Sequence, residues 1–369
     1  MKIAIDVRMV GRFSHGIARD AYNLIRELSE IDTQNDYVLL SNNTFLNDFV
    51  SSRSNFLLKV TSLKLYGIRE QIFLPRLLRK EKIDIFHTAS FACPVSVGCK
   101  VVMTIHDMIH VLFQEESSVR RRIYYRYIVK KAAENSRMII TVSENSKRDI
   151  INYLNLSPEK VVVTYNAADQ IFKKINENDV DKLKERFGIN GKFILYVGNL
   201  KPHKNVKLLI ESYHLLRRKT NLKLVIVGKK DILFQKGLND KLLEGVVFVG
   251  EVSDELMPAF YSGADIYVSP SLYEGFGLPL IEAIACGTPV VAISTPSSDE
   301  VLDNAGYIVN ENQPEELANA IDTVLSDSNL RNCLVEKGVE RIKNFSWKKS
   351  AKKILEIYYE VYSENNLPQ

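Results

Sequence analysis

The chain has 369 residues, a length that predicts two or three domains at about 100–200 residues each. Hydrophobic residues make up 46% and charged residues 25%, an ordinary globular mix that excludes disorder for the chain as a whole. Forty-nine Lys and Arg against forty-five Asp and Glu leave a net charge of +4, too weak a bias for a nucleic-acid binder, so any basic patch is local.

Cys93, Cys99, Cys286 and Cys333 form no Cys-x-x-Cys pair. Neither a zinc ribbon nor a thioredoxin-type site is expected, and in a chain this long neither is a disulfide framework. No uninterrupted apolar run reaches the ~18–20 residues of a membrane helix. Residues 1–6 lack a signal-peptide core and read as a strand, so the chain is expected in the cytoplasm.

Short apolar, β-branched runs recur between helical patterns. In the first half they are 3–7, 37–40, 83–86, 101–105, 138–142 and 161–164. In the second half they are 193–197, 222–227, 246–249, 266–269, 289–293 and 307–309. Continuous runs suit strands buried on both faces of a parallel sheet. Ile17, Ala21, Leu24, Ile25 and Leu28 fall on one helical face, and Val206, Leu209, Ile210 and Tyr213 repeat the pattern. The expectation is an α/β protein of two doubly wound, Rossmann-like parallel-sheet domains facing a cleft, with ligands beyond the carboxyl ends of the strands.

The loops after the strands are therefore the candidate sites. Gly11 and Gly16 have phosphate-loop spacing, but Ile17-Ala18 stands where Lys-Ser/Thr is needed, and no Gly-x-Gly-x-x-Gly occurs. ATPase and NAD chemistry are excluded on that ground. A glycine loop entering a helix remains, able to approach a ligand or merely to turn. His106 follows the run 101–105, where topology turns it towards a ligand; a hydrogen-bonded, half-buried His is the alternative. Residues 119–131 carry Arg120, Arg121, Arg122, Arg126, Lys130 and Lys131 with no acid, and Tyr124, Tyr125, Tyr127 and Ile128 interleave. Such a helix suits an anionic lipid surface or plain solvent.

Residues 173–190 are polar and read as a linker with a short helix; Asp179 and Asp181 there are expected to be solvated, so no metal is implied. After 193–197 come Gly198-Asn199-Leu200-Lys201-Pro202-His203-Lys204, where cations before a helix could neutralise a phosphate. The most informative segment runs from Ser269 to Ala283. A glycine loop, Gly275-Phe276-Gly277-Leu278, precedes Pro279, which suits the first turn of a helix whose amides would face an anion. Glu274 enters the loop and Glu282 sits one turn into the helix. Each carboxylate can accept two hydrogen bonds and so match a vicinal diol.

Glu274, seven residues and Glu282 form the pattern of the retaining glycosyltransferases of the GT-B fold, and the chain resembles the large family-four, or group 1, sugar-nucleotide-dependent set. Ala283-Ile284-Ala285-Cys286-Gly287-Thr288-Pro289, Ser298-Asp299-Glu300-Val301, Phe248-Val249-Gly250-Glu251 and Tyr261-Ser262-Gly263-Ala264-Asp265 also resemble it. In the first half, Thr141-Val142-Ser143-Glu144 and Tyr165-Asn166-Ala167 do so.

The resemblance implies roles. Lys204 would bind the donor diphosphate, Glu274 the donor-sugar hydroxyls and Glu282 the ribose diol. Gly275, Phe276, Gly277 and Leu278 would contact phosphate and sugar, His106 would lie by the donor sugar, and Gly16 would let the first loop approach the diphosphate. Asn199 stands where the family often carries Arg, and Lys201 is the nearest replacement.

The expected layout is a domain 1–172, a linker 173–190 and a nucleotide-sugar domain 191–345, with helix 346–363 packing back on the first. The expected activity is metal-independent, cofactor-free transfer of a hexose, mannose from GDP-mannose first, to a glycan or lipid-linked glycan in cell-surface polysaccharide assembly, at the inner face of the membrane. The alternatives are a UDP-hexose-dependent transferase and a non-catalytic sugar-nucleotide-binding protein.

Overall fold

The structure is a computed structural model, and it describes residues 1–11, 16–113, 119–217, 222–229, 234 and 239–363. The chain forms two compact units. The first comprises Met1–Asn166 with the segment that begins at Ser346; the second is Ala167–Phe345.

The first unit is built on seven strands: β1 (Lys2–Asp6), β2 (Asp36–Ser41), β3 (Phe56–Val60), β4 (Ile85–Thr88), β5 (Lys100–Thr104), β6 (Met138–Thr141) and β7 (Val161–Val163). Their order is β3-β2-β1-β4-β5-β6-β7, and every pairing is parallel. One face of the sheet packs Ala4, Phe86 and Met103, and the other packs Ile3, Ile5 and Val102. Burial on both faces is why these strands are continuous apolar runs.

Two strands depart from the expected runs. β3 has no counterpart among them: it is an edge strand, Phe56 is buried while Leu57 is exposed, and so its sequence need satisfy only one face. β4 lies two residues later than the run 83–86 and takes in His87 and Thr88, both fully buried. Polar side chains are tolerated there because they are bonded. His87 Nδ1 lies 2.5 Å from Tyr358 Oη, Nε2 lies 2.8 Å from Thr104 Oγ1, and Thr88 donates to the Ala92 carbonyl at 2.8 Å.

Helix Gly16–Ile31 buries Ala18, Ala21, Leu24, Ile25 and Leu28 and packs on helix Trp347–Ser363. That last helix turns Trp347, Ile354, Ile357, Tyr358 and Val361 inward. Polar ties fix it: Lys353 donates to the Val163 carbonyl at 3.0 Å, and Ser350 donates to the Tyr165 carbonyl. Each large apolar side chain it buries contributes roughly 1.5–3 kcal/mol.

The second unit has six parallel strands: β8 (Phe193–Val197), β9 (Lys223–Val227), β10 (Val246–Gly250), β11 (Ile266–Ser269), β12 (Val290–Ile293) and β13 (Tyr307–Val309), ordered β10-β9-β8-β11-β12-β13. Helix Val206–Arg217 turns Val206, Leu209, Ile210 and Tyr213 into this core. Within the stretch 173–190, helix Glu177–Phe187 is capped by Asn176, ends at left-handed Gly188, and buries Val180 and Leu183 against helix Met257–Gly263. No helix among the described residues is long and apolar enough to cross a membrane.

Candidate functional sites

In the second unit two loops meet at the carboxyl edge of the sheet. The first leaves β8 at Gly198. Its neighbour Gly228 closes β9, and a Cβ on Gly228 would stand 2.0 Å from the Gly198 carbonyl oxygen, so the two backbones touch only because the residue is glycine. Tyr196 donates to the Asn199 carbonyl at 2.7 Å, and burial holds its phenol well above the ordinary value, so it stays a donor. The Asn199 side-chain oxygen accepts the Lys201 amide at 3.2 Å, and both residues are exposed. The turn Pro202–Lys204 then aims Lys204 back at the second loop.

The second loop leaves β11 at Ser269. The Leu272 amide donates to the His203 carbonyl at 2.8 Å, which fastens the loops together. Lys204 Nζ donates to Glu274 Oε1 at 2.5 Å, and Ser271 Oγ donates to the same oxygen at 2.8 Å. Both members of the ion pair are 16% exposed. A pair so placed keeps its charge aimed while water, or a ligand, still reaches it.

Beyond Glu274 the chain passes Gly275 and Phe276, both buried. The Phe276 ring packs edge-on against Phe345, centroids 5.4 Å apart, and its carbonyl accepts Ser297 Oγ at 3.2 Å. Gly277 is left-handed (φ 90°), where a side chain is disfavoured, and it leads into helix Leu278–Ala285 with Pro279 in the first turn. Glu282 is buried in that helix and accepts Tyr261 Oη at 2.8 Å. The structure thus joins Lys204, Ser271 and Glu274 directly and sets Glu282 on the helix behind them.

The first unit holds the other candidates. His106 follows β5, and its Nε2 lies 2.8 Å from Asp20 Oδ2, on helix Gly16–Ile31. Gly16 is the exposed first residue of that helix. Residues 12–15 of the glycine loop lie outside the described residues.

The basic stretch is helical but not a regular α-helix. Val119–Tyr124 is α, Tyr125–Val129 is a π-helical turn, and Lys130–Asn135 is α again. The turn sends Tyr125 and Val129 into the core. Arg120, Arg121, Arg126 and Lys131 are exposed, while Arg122 and Lys130 are partly buried. Lys131 Nζ donates to Glu134 Oε2 at 3.1 Å, so the acid just beyond the stretch takes one of its charges.

Asp179 accepts from Lys182 at 3.2 Å on an exposed helix face, and among the described residues no group of three or more metal-ligating side chains converges.

Three partners were not legible from the loops alone. Asp20, Tyr261 and Ser271 are single polar residues, and only the fold brings each to its neighbour. The available signal for Asp20 is an acid one turn beyond Gly16, and for Ser271 it is a hydroxyl three residues before Glu274.

The family described as "Glycosyltransferase Family 4" matches residues 14–170, and that described as "Glycosyl transferases group 1" matches residues 178–341. The chain is 28% identical over 288 residues to the O-antigen chain mannosyltransferase B of Escherichia coli, covering 76% of this chain and 75% of that protein. It is 31% identical over 225 residues to the O-antigen chain mannosyltransferase RfbU of Salmonella typhimurium, covering 60% of each. A crystal structure of Anabaena Alr3699/HepE in complex with UDP and glucose aligns with a TM-score of 0.77 at 19% identity, over 97% of this chain and 99% of that one.

Proposed function

The chain belongs to the group 1 glycosyltransferases of the GT-B fold, and we propose that it moves mannose from GDP-mannose to a hydroxyl of a lipid-linked glycan in surface-polysaccharide assembly. The observation that carries this reading is the Lys204–Glu274 pair, held by two interlocked loops at a parallel sheet's carboxyl edge.

In this reading Lys204 exchanges its carboxylate partner for the donor diphosphate and balances the charge that grows as the bond to the anomeric carbon breaks. Lys201 supplies the second cation from the neighbouring exposed position, with Asn199 shaping its turn. The amides of Gly275, Phe276, Gly277 and Leu278 face the phosphate and sugar. Glu274 holds sugar hydroxyls, and Glu282, oriented by Tyr261, holds the ribose diol. In the first unit, His106, oriented by Asp20, and Gly16 at the head of the Asp20 helix are the groups offered to a ligand. The acceptor oxygen attacks the face from which the diphosphate leaves, so configuration is retained. The acceptor's proton departs with the diphosphate. No metal or other cofactor enters the scheme.

The names of the mannosyltransferase relatives support the sugar. The lipid-linked acceptor draws support from the first unit's surface. Val119, Ile123 and Tyr127 (62% exposed) project among the arginines. Helix Ile68–Lys80 adds exposed Ile68 (83%), Ile72 and Phe73 beside Arg69, Arg76, Arg79 and Lys80. Tyr66, two residues before this helix, meets Tyr124 of the basic stretch, ring centroids 5.7 Å apart. Apolar side chains ringed by cations suit an anionic bilayer surface.

Thermal-shift screening against GDP-mannose, UDP-glucose and other sugar nucleotides tests the donor. The largest shift is expected with GDP-mannose. A shift with UDP-sugars alone replaces mannose, and no shift with any sugar nucleotide removes the reading.

A further inference from the structure

We infer that Tyr66 is a stacking platform for a sugar ring of the acceptor, an inference that rests on the transferase reading above. Tyr66 follows β3 at the carboxyl edge of the first sheet, the edge at which β5 delivers His106.

Its backbone is left-handed (φ 63°), a conformation that a bulky aromatic residue rarely adopts and that glycine or asparagine takes at little cost. The turn itself gives no reason for a tyrosine. Yet the fold holds it there firmly. The Tyr66 amide donates to Glu70 Oε2 at 2.9 Å. Glu70 is fully buried and paired with Arg8, which also donates to the Leu63 carbonyl at 3.2 Å and to Asp6 at 2.8 Å. A buried charged group therefore clamps the loop on both sides of Tyr66.

The ring is held as firmly. Phe91 stacks on it, centroids 5.1 Å apart and planes 23° apart, and Tyr124 meets it at 88°. Phe91 in turn packs on Tyr125 at 4.6 Å and on His110 at 5.7 Å, in the short helix Ile109–Leu112 that follows His106. Despite this backing Tyr66 stays 42% exposed. An aromatic side chain held by these contacts and still partly exposed can take the apolar C–H face of a sugar at small entropic cost. Two residues further on, Ile68 opens the apolar basic surface. The platform thus lies on the sheet edge that carries His106 and beside the apolar basic surface proposed to meet the lipid.

The test uses the full chain and octyl glycosides of mannose, glucose, galactose and N-acetylglucosamine as probes, with binding followed by NMR. Wild type and Tyr66→Phe should bind at least one glycoside with equal affinity. Tyr66→Asn should bind it about tenfold more weakly, the scale of one lost ring contact, while the chain stays folded by its Trp347 signal. Equal affinity in Tyr66→Asn, or no glycoside bound by wild type, overturns the platform. Donor shifts with GDP-mannose and UDP-glucose are measured on the same samples. Their absence counts against the transferase reading, and glycoside binding weakened by Tyr66→Asn would then mark Tyr66 as a sugar contact but overturn its assignment to an acceptor.

Discussion

At the carboxyl edge of the second sheet, a partly exposed Lys204–Glu274 pair sits on glycine loops. At the corresponding edge of the first sheet, tyrosine and phenylalanine rings lie over a buried group of Asp6, Arg8 and Glu70. The topology rule is the same and the chemistry differs. Charge that water reaches can be exchanged for the charge of a ligand. Charge sealed from water cannot, because removing one partner strands the other in a low dielectric. Arg8 illustrates this. Burial works against its charge, but the hydrogen bond and charge of Asp6, then those of Glu70, more than offset that and raise its pKa. Burial likewise raises Glu70, with Arg8 pulling the other way. The Lys204–Glu274 pair is therefore one that a ligand could exchange with, whereas Asp6, Arg8 and Glu70 are scaffold.

Arg8→Ala should break the scaffold side of this contrast most severely. It leaves two carboxylates buried together and should cost about 3–5 kcal/mol. Trp347, the chain's single tryptophan, is buried in the first unit and reports the loss in a urea titration. An unmoved midpoint would mean that Arg8 is not structural.

Next in size come Glu274→Ala and Lys204→Ala. Each should lower kcat/KM by about 10²–10³-fold, the scale set by removing one preorganised charge, while the Trp347 transition stays in place. Turnover close to wild type in either variant would dissolve the distinction between the two edges.

A third test turns on pH. Burial drives the His87 imidazole down to about 4 from 6.5, so the folded unit holds it neutral. The folded state then binds fewer protons than the unfolded chain between those values. Stability is full above pH 6.5 and is lost as pH falls towards 4, by roughly 3 kcal/mol. His87→Gln should flatten that part of the Trp347-reported profile, and equal slopes in both proteins would refute the assignment.

The smallest effects per residue belong to the surface. Replacing Arg120, Arg121 and Arg122 by Gln should weaken binding to phosphatidylglycerol vesicles by about 1 kcal/mol per charge. Phe73→Asp should weaken it as well, because the apolar contact comes from the other helix. Binding that survives both changes would make these helices ordinary solvent-facing elements.

Much of this was legible in the chain because local chemistry states it locally. The strand β8, its glycine exit, Lys204 and the segment from Glu274 to Glu282 all lie within short stretches whose residue types have few other uses. β3 was not legible because an edge strand needs one apolar face only. Asp20 and Tyr261 were not because a lone polar residue on a helix is, by pattern, a solvated one. Tyr66 shows the limit best: in the sequence it is a tyrosine before a glycine, and nothing there reveals its left-handed backbone.

The sequence by itself determined the alternation of strand and helix, the two-unit plan and the identity of the loops, since periodicity and turn chemistry act over a few residues. Tertiary structure decided which polar groups would meet and which would be sealed from water. It joined Lys204 to Glu274 across 70 residues and Arg8 to Glu70 across 62, because pairing and desolvation depend on distance through space, which residue order does not encode.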